Sequence, residues 1–245
     1  MKTLLSYLLT PIFFFFFGFF LGIFHPTQVI ARNLFGARAH DKTVAALNYC
    51  LMRCLLILGA KVKFNNFIQL PKDEPVLVIS NHQSMWDIPP IIWKLQDKRT
   101  KYIAKASLAK NIPSISYNLK YGGSVSIDRK DPAGSIEKIE KFAAFVKENN
   151  FAICIYPEGT RSRDGQVKPF KISGIDAILK VIPDITVVPI AIKNTGKIDN
   201  KGRFNKNLGI ATSFTMLPSR KIARENIVEE LEAIRQDIIE SLSKK

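Results

Sequence analysis

In the stretch VLVISNHQSMWDIPP, residues 76–90, His82 and Asp87 stand five positions apart. A carboxylate that holds one imidazole nitrogen leaves the other free to take a proton from a substrate hydroxyl. The apolar run 76–80 predicts a short buried strand that delivers Asn81 and His82 into a loop. Pro89 and Pro90 suit the first turn of a helix, where a missing N–H costs little. The segment therefore reads as strand, loop and helix, with histidine and carboxylate facing each other across the loop. A blander reading makes Asp87 or Ser84 a helix N-cap and lets His82 bond a backbone carbonyl. Both readings stand on the segment alone.

The elements that would position these groups follow from hydrophobic periodicity. Candidate strands are 75–80, 101–105, 123–127, 151–156, 186–192 and 209–216. Between them, Asp131-Pro132 opens a helix with Ile136, Ile139, Phe142, Ala143 and Val146 on one face. A second helix over 225–242 carries Ile227, Leu231, Ile234, Ile238 and Leu242 as one stripe. This alternation predicts an α/β fold with a mixed, largely parallel sheet flanked by helices. Such sheets bind ligands outside the carboxyl ends of their strands. At those ends the sequence places His82, then Lys105, then Asp128-Arg129, then Pro157-Glu158-Gly159-Thr160-Arg161. Arginine forks match phosphate oxygens in pairs and lysine adds a point charge, so a phosphate-bearing substrate is expected beside the histidine. Gly159 allows a sharp turn, and Glu158 can bond a hydroxyl or brace Arg161.

The remaining composition bounds the setting. A chain of 245 residues holds one good-sized core plus an appendage, and 47% apolar residues exclude disorder. A net charge of +15 calls for an anionic partner: nucleic acid, membrane surface or substrate. Aromatic residues are not interleaved with basic ones as stacking platforms require, so no nucleic-acid partner is expected. The phenylalanines gather instead near the N-terminus, with an unbroken run over 13–17 inside the uncharged stretch 3–24. As a helix, residues 4–24 would rise ~31 Å against ~30 Å of bilayer hydrocarbon. Pro11, Gly18 and Gly22 are tolerated in a spanning helix but could equally bend it into a shallow insertion. A cleaved signal peptide fits less well, because the apolar part is too long and no A-x-A site follows. Arg32, Arg38 and Lys42 after the stretch, against Lys2 before it, place the downstream part on the cytoplasmic side. A second apolar stretch, 44–60, carries Asn48 and Arg53 and suits a helix lying in the interface or packed on the domain. Residues 1–60 thus read as a membrane-associating helical pair and 61–245 as one catalytic-sized domain. Cys50, Cys54 and Cys154 form no even framework and read as buried free thiols. With His25, His40 and His82 scattered and no CxxC or HExxH, no metal site is expected.

The chemistry narrows by what is missing. There is no GxSxG elbow, no GxxxxGK[ST] loop and no GxGxxG fingerprint, and Cys154 lies inside a strand. A base without a protein nucleophile suits a substrate that brings its own hydroxyl to an activated acyl group, such as a thioester.

Asn81-His82-Gln83-Ser84-Met85-Trp86-Asp87 resembles the NHxxxxD block of the glycerolipid acyltransferases, in the NHxS form of the 1-acylglycerol-3-phosphate acyltransferase branch. Residues 122–129, GGSVSIDR, resemble the second block, residues 156–162, YPEGTRS, the third, and Val188-Pro189-Ile190 the fourth. The resemblance implies direct acyl transfer to the sn-2 hydroxyl of lysophosphatidate, giving phosphatidate in phospholipid biosynthesis. It implies His82 as general base held by Asp87, and the acceptor phosphate held among Lys105, Arg129 and Arg161, with Glu158, Gly159 and Thr160 in the substrate pocket. Acyl-CoA or acyl-carrier protein would be the donor, with no further cofactor or metal, and the N-terminal helices would anchor the enzyme among membrane lipids. Pro189 would be structural. The chain departs from the pattern at Tyr156, where phenylalanine is commoner, and at Ser126, where an aromatic is common. Phe170-Lys171-Ile172-Ser173-Gly174 also has one residue more than the usual FKxG spacing.

Overall fold

The computed structural model describes residues 2–106, 111–128, 130–162, 164–200 and 202–244. Its centre is an eight-stranded sheet built from β1 (Lys61–Asn65), β2 (Val76–Ser80), β3 (Lys101–Lys105), β4 (Val125–Ile127), β5 (Ala152–Ile155), β6 (Ile185–Lys193), β7 (Ala211–Met216) and β8 (Arg220–Ile222). The order is β1-β7-β6-β2-β5-β3-β4, with β8 paired to β6. From β6 through β4 every pairing is parallel, whereas β7 and β8 run antiparallel to β6. The mixed, largely parallel sheet expected from sequence is therefore what forms. Strands β2 and β5 are buried at every position, as continuous apolar runs covered on both faces should be. The expectations missed β1, whose KVKFN alternates exposed and half-buried residues, and the three-residue β8. Charged side chains at Lys61 and Lys63 protect that sheet edge from stray pairing.

Helices cover both faces. On one face α4 (Pro132–Asn149), α5 (Ser173–Val181) and α6 (Ile227–Ser243) pack Phe142, Val146, Ile178 and Ile234 against Leu77, Ile153 and Val187. The Asp131 carboxylate accepts from the Gly134 N–H and Pro132 opens the helix, as the Asp-Pro pair predicts. On the other face Ile91 of α2 (Ile88–Lys94) meets Val76, Val78, Cys154 and Ile190. Burial pushes the Cys154 thiol up to about 12, so it is inert at neutral pH. A short α3 (Ile115–Tyr121) precedes β4.

The expected N-terminal pair is one continuous helical stretch, α1 (Lys2–Cys54), with no loop inside it. A single residue breaks it: Gly36, at φ 80° and ψ −171°, a conformation open essentially to glycine. The chain folds back there, since Leu21 of the first arm packs with Leu47 and Leu51 of the second. A periodicity reading cannot distinguish a one-residue hinge from a loop. The most apolar part of α1 is long enough to cross a bilayer, yet only 17% of it is buried. Leu4, Leu8, Phe15, Phe19, Ile23, Leu34 and Phe35 are all exposed, whereas Ser6, Thr10, Phe13 and Leu21 face the rest of the molecule. Asp41, on the second arm, pairs with Arg99 at 2.5 Å and Lys101 at 2.7 Å.

Candidate active site

The strand-to-loop junction after β2 is fixed by side chains that imitate strand pairing. The Ser80 hydroxyl donates to the Ile190 carbonyl at 2.7 Å. The Asn81 amide then donates to the Ile192 carbonyl (2.9 Å) and accepts from the Ile192 N–H (2.8 Å). Asn81 thus extends the β2–β6 ladder by one position after the backbone has turned away. His82 is clamped through its own backbone. Its N–H donates to Glu158 Oε1 at 2.7 Å, and its carbonyl accepts from the Ser162 N–H at 2.7 Å.

The His82 Nδ1 lies 2.7 Å from Asp87 Oδ2. That oxygen also accepts the N–H groups of Gln83 (2.7 Å) and Ser84 (2.9 Å), and Oδ1 accepts the Thr195 hydroxyl. Asp87 is fully buried, so a carboxylate there requires such a donor set. An ionised carboxylate only accepts, hence Nδ1 carries the proton and the neutral ring keeps its lone pair on Nε2. That is the tautomer a general base needs. Of the blander reading only the Ser84 cap is present: the His82 ring bonds Asp87 rather than a backbone carbonyl, and Asp87 opens α2 without a side-chain cap bond. Ser84 and Asp87 form a capping box on the turn Met85–Asp87 while the same carboxylate orients the histidine. Tyr156, at the end of β5, stacks on the imidazole with ring centres 4.2 Å apart and planes 17° off parallel. Burial raises the phenols of Tyr102 and Tyr156 well above their ordinary range, so both stay neutral.

Because β2, β5, β3 and β4 are neighbours and parallel, the residues after them share one edge of the sheet. Lys105, Thr160 and Arg161 are exposed there. Arg129 lies outside the described residues. Gly159 turns at φ 68°, and the Lys171 ammonium lies 3.1 Å from where a Cβ on that glycine would sit. The positive φ is what favours glycine here, since the flexible end of Lys171 could yield by a few tenths of an ångström. Glu158 needs a correction. It is 2% exposed, and its two oxygens are taken by the backbone N–H groups of His82 and Lys168 rather than by Arg161 or an open pocket. Burial raises its pKa, and the same two bonds oppose that shift. Through these two bonds Glu158 supports the histidine loop.

Two contributors escaped the sequence reading. Thr195 reaches Asp87 from the turn that follows β6, and its only sequence signal is its place just past a strand end. Trp86, inside the histidine block, is 2% exposed and packs edge-on against Phe13 (5.3 Å) and Phe17 (5.6 Å) of α1. The turn that carries Asp87 therefore sits directly on the apolar N-terminal helix.

A mostly parallel α/β sheet that presents an oriented histidine–aspartate pair, with no serine or cysteine bonded to the imidazole among the described residues, suits an enzyme that moves a proton on its substrate. The Acyltransferase family model matches residues 61–193, and the chain belongs to that family. The chain is 28% identical over 191 residues to the 1-acyl-sn-glycerol-3-phosphate acyltransferase of Saccharomyces cerevisiae, covering 76% of this chain and 61% of that one. It is 25% identical over 188 residues to the Haemophilus influenzae protein of the same name, covering 75% of each. A chloroplastic protein of that name from Brassica napus is 34% identical over 126 residues, 51% of this chain and 35% of the relative. The crystal structure of the 1-acyl-sn-glycerophosphate acyltransferase PlsC of Thermotoga maritima superposes with a TM-score of 0.80 at 22% identity, over 100% of this chain and 99% of that one. That likeness extends the shared fold through the N-terminal helix.

Proposed function

We propose that the protein is a 1-acyl-sn-glycerol-3-phosphate acyltransferase, moving a fatty acyl group from acyl-CoA or acyl-carrier protein to the sn-2 hydroxyl of lysophosphatidate. The observation that carries this reading is the His82–Asp87 pair, with Nδ1 held at 2.7 Å and Nε2 left as acceptor. His82 takes the proton of the sn-2 hydroxyl as that oxygen attacks the thioester carbonyl. The C–S bond breaks, and the departing thiolate receives the proton from His82. No acyl-enzyme forms, and no metal or further cofactor takes part. The exposed Lys105 and Arg161, joined by Arg129, hold the acceptor phosphate, with Thr160 and Gly159 beside them. Residues 1–60 form the membrane segment, its exposed apolar flank among lipid acyl chains, and residues 61–245 the catalytic part on the cytoplasmic side. The Trp86 contact with Phe13 supports a site held at the bilayer surface, where a lysolipid acceptor resides.

The test is to supply purified protein with a labelled acyl thioester and a panel of lysolipids. Phosphatidate from lysophosphatidate is the expected product. Acylation of another lysolipid with no phosphatidate would assign the chain to a sister activity on a different hydroxyl acceptor.

A further inference from the structure

We infer that the loop around Phe204 is a second lipid contact, made by the catalytic part itself and set beside the N-terminal helix. This rests on the reading of α1 as the membrane segment. Phe204 is 60% exposed, at the tip of a loop that also exposes Gly202 and Arg203. At that exposure the ring gains little from burial within the fold. Here its one aromatic neighbour among the described residues is Phe14 of α1, with ring centres 5.7 Å apart.

The loop is not free to swing. The Ser6 hydroxyl donates to the Lys206 carbonyl, and the Asn205 amide donates to the Ser6 oxygen at 2.9 Å. The Lys206 N–H donates to the Thr10 hydroxyl at 2.9 Å. Ser6 and Thr10, in the first arm's opening turns, are both buried and both bonded to this loop. Their hydroxyls satisfy a loop backbone that would otherwise lose its water partners against an apolar helix. Phe204 is therefore held at the flank of the apolar arm.

The surrounding charge fits an anionic bilayer. Lys197 and Arg203 are exposed, and the Lys206 ammonium lies 5.3 Å from the Phe14 ring centre while pairing with Asp199 at 2.6 Å. An aromatic side chain inserted below headgroups, with cations at headgroup level, is the arrangement that holds peripheral segments on anionic lipid. Phe204 and the exposed Phe14 are too small a patch to suit a protein partner, whereas a bilayer also takes up the exposed Phe15, Phe19 and Leu8 of the same arm.

The test places tryptophan at the tip, Phe204→Trp, and separately on the arm, Phe15→Trp, in full-length protein. Each is reconstituted in vesicles of phosphatidylglycerol and phosphatidylethanolamine brominated near the headgroup end of the acyl chain. Fluorescence quenching is read as the excess over the wild-type signal of Trp86 and Trp93. Excess quenching at both positions is expected, with Phe204→Trp shielded from aqueous iodide. Phe204→Asp should also weaken vesicle partitioning roughly tenfold, the scale of losing one buried phenylalanine, while the detergent-solubilised enzyme keeps its turnover. Quenching at position 15 with iodide-accessible, unquenched tryptophan at 204 would overturn the loop contact and leave the membrane reading standing. No excess quenching at either position would overturn both.

Discussion

The histidine loop and the cationic rim occupy the same edge of the sheet, yet they are built in opposite ways. Around Asp87 both carboxylate oxygens are engaged from within, by two backbone N–H groups, the imidazole and the Thr195 hydroxyl. The backbone of His82 is held at both its N–H and its carbonyl. Lys105, Thr160 and Arg161, by contrast, stand exposed at the ends of β3 and β5. A general base gains from preorganisation, because its geometry must be right before substrate arrives. Phosphate-binding cations gain from having no internal carboxylate partner, because the ligand then supplies the counter-charge. Under the proposed function, the contrast would give rate to the loop and acceptor affinity to the rim.

The strongest way to break this division is Asp87→Asn. The neutral amide cannot offset the positive charge that the imidazole gains on taking a proton, so kcat should fall ~10²-fold or more with acceptor KM little changed. A variant that loses acceptor affinity instead would move Asp87 to the rim's side of the ledger. Thr195→Val removes one of four donors to a buried carboxylate and keeps the side-chain volume. About a tenfold loss in kcat is expected, the scale of one charge-assisted hydrogen bond. Equal kcat in that variant would show that Thr195 only packs. Arg161→Ala should raise the acceptor KM about tenfold and leave kcat nearly intact, if phosphate is what it holds. Steady-state kinetics over acceptor concentration separate the two outcomes.

The smallest effect concerns the join between the N-terminal helix and the sheet. Burial pushes the Asp41 carboxyl up, but His40, Lys101 and Arg99 outweigh it and hold the group at about 2. Its folded pKa is thus below the ordinary 3.8, so its stabilisation is complete above that value and is lost as pH falls toward 2. Asp41→Asn should cost about 2 kcal/mol at neutral pH and flatten the acid limb of detergent-solubilised stability. Thermal melts of both proteins between neutral and acid pH would show whether the curves converge.

The contrast also explains what could be read from the residues in order. β2, β5 and β6 were legible because parallel strands covered on both faces are continuous apolar runs, and their ends placed His82 and Arg161 correctly. β1 was not, since an edge strand with alternating lysines lacks that signature. The internal bonds of Glu158 were hidden for a related reason. Its type and its place after a strand suit a ligand contact, and only the return of the chain at Lys168 shows both oxygens already occupied. Thr195 stands more than a hundred positions from Asp87, and no local pattern reports such a contact. The turn at Gly36 was hidden because one residue of left-handed backbone leaves hydrophobic periodicity almost undisturbed.

The central claim is that His82 is the base of a direct transfer. Single-turnover mixing of labelled acyl-CoA and lysophosphatidate with the wild type and with His82→Ala tests it, with quenched protein scored for covalent label. The account predicts phosphatidate without acyl-enzyme in the wild type, and a chemical step slowed ~10²-fold or more in the variant. A variant as fast as the wild type, or label bound stoichiometrically to the protein, would contradict it.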